Sequence, residues 1–381
     1  MEKMQKKGFC IVVPTSFMLN YFKGQLRFLN NTFEVTAISS DSDWLEEFGG
    51  NEGINVCCIP IVRYPSLFKD IYSFGKLYCY FRKHPTYIVH GNTSKALLPL
   101  LAASLAKVPV RIYMAHGLLH QGYTGIKRAL VKLLEYLICR CSTEVLCVGF
   151  GVKDLLLKEH ICREKDVVKV VGNGTPSGID VGWFDKSLFS KEYLRNELSI
   201  LCNDFVFCFV GRINREKGVN ELVDAFKELS KRHSDVRLLL LGPEEEHRAI
   251  DEVTKKEIFD NQLIHSLGYQ EDVRPYMALS DALVLPSYRE GLNLTLIEAG
   301  AIGIPCITTD IIGCNEVVKD GITGRIIPPR DKKALYEMMA WFYEHRDDEL
   351  KRMAECARKS VAERYEQCNT WNAYLKEYTS L

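Results

Sequence analysis

No stretch of this chain approaches the roughly 18 to 20 consecutive apolar residues needed to cross a bilayer as a helix. The longest candidate, ALLPLLAASLA at residues 96–106, is interrupted by Pro99 and reads as a buried helix. The amino-terminal MEKMQKKGFCIVVP carries the lysines of a secretion signal, but its apolar run FCIVV is too short for one and suits a first strand. Net charge is also missing: 49 Lys and Arg offset 49 Asp and Glu, which leaves no global electrostatic case for nucleic acid as a partner. The 14 cysteines lack the paired spacing of a metal site and fall in apolar segments such as FCIVV and FVFCFV. They are expected to be reduced, mostly buried thiols of a cytoplasmic protein.

What the sequence does have is alternation. Short apolar runs at FCIVV, EVTAIS, INVCCIP, YIVHG, VRIYMAHG and TEVLCVG are separated by amphipathic stretches. After residue 190 the same rhythm restarts at DFVFCFV, VRLLLLGP, IHSLGY, ALVLPS, PCITTD and RIIPP. Strands alternating with helices predict an α/β architecture of two doubly wound, Rossmann-like domains, in which ligands gather at the carboxyl ends of the strands. The 381 residues suit two domains, and 47% hydrophobic residues supply their cores. Between the halves, residues 166–190 combine a strand with the cluster GNGTPSG. No helix directly follows those glycines, so they predict a hinge rather than a dinucleotide fingerprint. The expected boundaries are 1–175, 176–360 and a final segment 361–381, whose aromatic WNAYLKEYTSL needs an apolar surface and is assigned to the first domain.

The stretch PSYREGLNLTLIEAGAIGIP at residues 286–305 organises the second half. A strand runs into a polar turn, helical spacing begins near Leu292, and Gly303 and Pro305 stop it. The free N–H groups of that helix fall near Asn293, Leu294, Thr295 and Leu296, where a phosphate would bind. Glu290 precedes the tip and Glu298 follows it in an apolar context, where a carboxylate requires a partner. Read plainly, Glu290 is a helix-start charge and Glu298 a solvated helical residue. GRINREKG at residues 211–218 sets Gly211, Arg212 and Lys217 at a strand's carboxyl end, where two cations would neutralise a diphosphate. Loop cations are ordinarily just solvated, and Arg215 is read that way. The DSD triplet at residues 41–43 is read as the capping box Asp43–Glu46 of a following helix, not as a metal motif.

VGRINREKG, GYQEDVRPYMALSDALVLPS and EGLNLTLIEAGAIGIPCITTD resemble, in order, the motifs of the family 4 retaining glycosyltransferases of the GT-B fold, in which two Rossmann-like domains face a central cleft. The resemblance covers nearly the whole chain. In the first half, FKGQL, YIVHGNTSK and VVGNGTPSGID are similar to bacterial capsule, O-antigen and lipid-linked oligosaccharide enzymes. The resemblance implies donor-diphosphate contacts for Arg212 and Lys217, a distal-phosphate cradle at Leu294 and Thr295, ribose contacts for Glu298 and a donor-sugar contact for Glu290. It implies that the loop 268–274 borders the base and that Gly24 and His116 close on sugar and acceptor. His116 is expected to orient a ligand rather than act as a base; His90 and His120 lie in similar loops. One departure is the turn Glu290-Gly291-Leu292-Asn293, which lacks the family's second glycine and would ask Asn293 for an unusual backbone angle.

On this reading a sugar, a hexose or N-acetylhexosamine, passes from a UDP-sugar to a glycan or polyprenyl-diphosphate-linked acceptor with retention. Neither a metal nor a cofactor takes part. The segment YTGIKRALVKLLEYLICR at residues 123–140 mixes cations and apolar residues as a helix touching the inner membrane face would, and equally as a core helix with a wet edge. Two other readings share the pattern: a sugar-nucleotide 2-epimerase, and a non-catalytic nucleotide-sugar-binding protein.

Overall fold

The structure is a computed structural model that describes residues 6–40, 42–62, 66–162, 167–246 and 248–381. Two compact units emerge, Met1–Gly178 with Gln367–Leu381, and Ile179–Glu366. The first unit is built on a seven-stranded sheet of β1 (Gly8–Val12), β2 (Glu34–Ser39), β3 (Asn55–Cys58), β4 (Thr86–Asn92), β5 (Val110–Ala115), β6 (Glu144–Cys147) and β7 (Val167–Val170). Its order is β3-β2-β1-β4-β5-β6-β7, every neighbouring pair parallel. The second unit repeats the plan with β8 (Phe205–Val210), β9 (Val236–Leu241), β10 (Ile264–Gly268), β11 (Ala282–Leu285), β12 (Cys306–Thr309) and β13 (Gly324–Ile327), ordered β10-β9-β8-β11-β12-β13. Both sheets reverse direction of winding beside their first strand, at β1/β4 and at β8/β11. Strand ends there diverge and open a crevice for a ligand.

The central strands are largely apolar because helices cover both faces. All six residues of β8, FVFCFV, are buried, as are Leu238 to Leu241 of β9 and the whole of β11 and β12. Several cysteines share this environment; burial pushes the thiol of Cys10 up to about 11 and that of Cys208 to about 12.

The chain leaves the first unit after Gly178 and returns at Gln367, so the boundaries differ from 175/176 and 360/361. The later one moves because the helix Glu349–Tyr365 runs unbroken past residue 361 and stops only where Glu366 turns extended, at φ −52° and ψ 130°. The next helix, Gln367–Ser380, packs on the first sheet: Trp371 donates Nε1–H to the Ser177 carbonyl at 2.7 Å and the Tyr374 hydroxyl donates to the Thr175 carbonyl at 2.9 Å. Tyr378 lies against Phe9, ring centroids 5.1 Å apart. Those contacts satisfy the aromatic tail.

Gly24 opens the helix Gln25–Asn30 at φ 79°, and a Cβ there would come within 2.8 Å of the Trp371 ring. Its N–H is held by the buried carboxylate of Glu52, at 3.0 and 2.9 Å, which also accepts from the Arg27 N–H at 3.1 Å. Near Asp43 the capping-box expectation is revised: the helix Ser42–Glu52 begins one residue earlier, with Asp43 inside its first turn, and Asp41 lies outside the described residues. Because one buried carboxylate accepts from two backbone N–H groups, Glu52→Ala is expected to destabilise the first unit by about 2–3 kcal/mol. Urea denaturation followed by tryptophan fluorescence measures it.

Candidate functional site

At the carboxyl end of β8 the loop 211–218 folds down on the turn after β11. Gly218 adopts φ 70°, and a Cβ on it would sit 2.1 Å from the Pro286 carbonyl oxygen. Glycine alone permits that approach. Tyr288 then donates its N–H to the Glu216 carbonyl at 2.8 Å, locking the two loops together. The result brings Lys217 Nζ to 2.5 Å from Glu290 Oε1, an ion pair largely withdrawn from solvent. Asn214 shapes this loop: its side-chain oxygen accepts the Lys217 N–H at 3.0 Å, and its amide donates to Glu245. Arg212 also pairs with Glu245, at 2.8 and 2.9 Å, but is half-exposed. Both expected diphosphate cations are therefore carboxylate-bound in this state. Gly211 ends β8, its N–H donated to the Leu241 carbonyl at 2.9 Å. Arg215, read as merely solvated, bonds Asp251 at 2.5 Å and the Ala249 carbonyl at 2.8 Å.

The helix after the turn spans Leu294–Ile302 and ends at Gly303 in the left-handed conformation. Asn293 is its N-cap, at φ −86° and ψ 109°, and accepts the Leu296 N–H at 3.0 Å. The unusual angle expected for Asn293 is therefore absent, because a capping residue takes ordinary extended backbone. Its own N–H donates to the Gly313 carbonyl at 3.3 Å. Capping consumes one helix-tip donor and leaves the N–H groups of Leu294 and Thr295 without an intrahelical acceptor, next to the positive end of the helix dipole.

Glu298 follows, half-buried on the helix. Among the described residues no hydrogen bond or ion pair reaches its part-buried carboxylate, so the partner anticipated for it is not found among them. Burial raises its carboxyl from 4.5 to about 7. Lys217, Glu290, Asn293, Leu294, Thr295 and Glu298 thus stand on two interlocked loops and one helix. Beside them the loop 268–274 is braced by Gln270 on the Leu267 carbonyl at 2.7 Å and by Arg274 on Asp272 at 2.6 Å.

His116 and Gly24 belong to the first unit. His116 follows β5, and its Nε2–H donates to Asn92 Oδ1 at 3.1 Å. The Asn92 amide in turn donates to His90 Nδ1 at 3.2 Å. Burial lowers His116 to about 4 and, with His116 beside it, His90 to about 3, so both rings are neutral near pH 7. This chain fixes the tautomers and leaves Nδ1 of His116 as an acceptor. Asn92 escaped the sequence reading because its role depends on β4 and β5 being adjacent. His120 is a structural node, contacting Glu135 Oε2 and lying 3.4 Å from Glu159. Among the described residues no group of three His, Cys, Asp or Glu is arranged to hold a metal ion.

An isolated acid with a raised pKa makes the fold favour its protonated form, so Glu298 costs stability as pH rises from about 4.5 through about 7. Glu298→Gln removes that cost. Relative to the native chain the variant is expected to gain about 1–2 kcal/mol above pH 7, discounting partial solvent access, and progressively less toward pH 5. Thermal melts across that range measure the gain as a few degrees in Tm.

Known proteins share the sequence and fold of this chain. The profile of the family described as Glycosyltransferase Family 4 matches residues 25–177, and that of Glycosyl transferases group 1 matches residues 190–360. The chain is 30% identical to the capsular polysaccharide biosynthesis glycosyltransferase CapM of Staphylococcus aureus, across 98% of this chain and 99% of that one. It is 28% identical to the UDP-Gal:alpha-D-GlcNAc-diphosphoundecaprenol alpha-1,3-galactosyltransferase of Escherichia coli, over 79% and 78% of the two chains. In fold it is similar to HepE of Anabaena in complex with UDP and glucose, with a TM-score of 0.82 at 16% identity, covering 98% of this chain and all of that one. With loops, helix tip and both sheets accounted for, the chain belongs to the family 4 glycosyltransferases and has their GT-B architecture.

Proposed function

We propose that the protein transfers a hexose or N-acetylhexosamine from a UDP-sugar to a hydroxyl of a polyprenyl-diphosphate-linked glycan during surface polysaccharide synthesis. Transfer proceeds with retention and without a metal, at the cytoplasmic face of a membrane. The observation that carries the reading is the unpartnered Glu298 behind a helix tip with free N–H groups, beside the Lys217–Glu290 pair. Vicinal ribose hydroxyls supply the donors Glu298 lacks, and the distal phosphate takes the N–H groups of Leu294 and Thr295. The UDP donor and the lipid-linked acceptor are supported by the names of the Escherichia coli and Anabaena relatives.

In the reaction the acceptor oxygen bonds to the anomeric carbon as the sugar–diphosphate bond breaks. A departing phosphate oxygen receives the acceptor proton on the same face. Negative charge on that phosphate grows in the transition state, where Lys217, released from Glu290, and Arg212, released from Glu245, offset it together with the helix dipole. Glu290, freed of its lysine, accepts hydroxyl donors from the sugar. In the first unit the neutral His116 keeps Nδ1 as an acceptor for a hydroxyl.

A screen of UDP- and GDP-sugars with lipid-linked acceptor, read by NMR of the product's anomeric configuration with chelator present, tests the proposal. Expected is an α-linked product from an α-linked UDP-sugar, insensitive to EDTA. Binding without transfer from any donor, or an epimerised nucleotide sugar, would overturn it. Lys217→Ala is expected to lower kcat/KM by roughly 10²–10³-fold, mostly in kcat, since the charge it meets is greatest in the transition state. Because ribose hydroxyls favour the ionised Glu298, UDP is expected to bind more tightly as pH rises through about 7. Calorimetry on Glu298→Gln should show that dependence abolished.

A further inference from the structure

A separate cavity lies in the second unit, behind the loop that carries Lys217. It offers about 740 Å³, and its wall includes Arg215, Glu216, Arg248, Asp251, Tyr288 and Arg330. We propose that this cavity is a second anion site, which takes a phosphate-bearing small molecule while the nucleotide holds its own site and lowers the affinity for that nucleotide. The inference goes beyond the functional reading above and rests on it only for what is regulated.

The charges of the wall are unevenly matched. Arg248 and Arg289 both bond the single carboxylate of Glu216, the second at 3.1 Å. Arg215 bonds Asp251 at 2.5 Å, and Asp251 also accepts from the Asn220 amide at 3.0 Å. Glu252, also on the wall, is drawn off by Lys255 at 2.7 Å, and Glu221 accepts the Tyr288 hydroxyl. Arg330 is exposed, lies over the Tyr288 ring at 4.6 Å and meets no acid among the described residues. The guanidiniums of Arg215, Arg248, Arg289 and Arg330 therefore share only the carboxylates of Glu216 and Asp251. Guanidinium forks match phosphate oxygens in pairs, so a phosphate group answers that surplus, and the volume is that of a small-molecule site.

The backbone supplies an independent observation. Arg248 and Arg330 stand at φ 75° and 64°, in the left-handed region that favours glycine. Arginine is a poor choice for either turn, and what it brings to both is a guanidinium at the cavity.

The cavity and the donor residues share one junction. Glu216 lines the cavity and pairs with Arg289, whereas the next residue of each loop, Lys217 and Glu290, forms the ion pair of the donor site at 2.5 Å and takes no part in the cavity wall. The two pairs run in opposite senses across a backbone held by the Tyr288 N–H on the Glu216 carbonyl at 2.8 Å. An anion in the cavity competes with Glu216 for Arg248 and Arg289, and its charge opposes a diphosphate on the other side of the junction. Occupancy of either site weakens the other, by reciprocity.

The test is calorimetry of the full chain, saturated with UDP, against inorganic diphosphate and against glucose 1-phosphate, for the native chain, Arg330→Gly and Arg248→Gly. Expected is binding of at least one probe, weakened at least about tenfold in each variant. The tighter probe identifies whether a bare diphosphate or a sugar phosphate fills the cavity. Saturating probe is expected to raise the UDP dissociation constant about fivefold. Arg330→Gly should melt no lower than the native chain, since glycine suits its backbone angle, and both variants should bind UDP normally when no probe is present. Failure of both probes to bind the UDP-saturated native chain, undiminished binding by both variants, or a UDP affinity that the probe leaves unaltered would overturn the proposal. So would a lowered melting temperature accompanying lost probe binding in Arg330→Gly, which would assign Arg330 to the fold alone. A native chain that transfers sugar but binds neither probe removes this inference alone, whereas one that binds a probe through Arg330 and binds no UDP removes only the functional reading.

Discussion

The site depends on one contact between backbones. Gly218 lies so close to the Pro286 carbonyl that no side chain fits between them, and that closeness brings the loop after β8 onto the turn after β11. With the Tyr288 N–H bonded to the Glu216 carbonyl, the contact fixes where Lys217 points and so which acid it meets. The two strands that carry these loops are neighbours only because the sheet reverses its winding at β8/β11. Topology creates the crevice, and a hydrogen atom in place of a methyl group lets it narrow to the width of an ion pair.

Electrostatically the resting site is divided. Lys217 pairs with Glu290 and Arg212 with Glu245. Glu298 is the reverse case. Among the described residues no group pairs with its carboxylate, and burial raises its pKa.

Much of this architecture was legible in the residues themselves. The apolar runs fell on the strands because a parallel sheet covered on both faces demands unbroken hydrophobicity, and the Gly303 stop was readable because a left-handed cap favours glycine. Lys217, Glu290 and the helix tip were legible for the same local reason: each follows a strand end. What escaped was set by neighbours distant in sequence. Asn293 was expected to strain its backbone, and capping relieved it of that need. Asn92 acquired meaning only when β4 and β5 aligned to bring His90 and His116 to the two sides of its amide. The hydrogen bond of Gly24 to Glu52, twenty-eight residues on, and its closeness to Trp371 likewise depend on residues distant in sequence.

That last contact has a consequence for biosynthesis. The second unit is contiguous in the chain, residues 179–366, while the first is split between its opening 178 residues and the final 15. Trp371, Tyr374 and Tyr378 are therefore the last parts of the first core to be made, and the sheet that begins the chain stays unsealed until the whole of the second unit has emerged. Completion runs against the order of synthesis. The unit translated second has all its residues first, and a chain cut short by even its last turns leaves Phe9 and the ring of His90 without their cover.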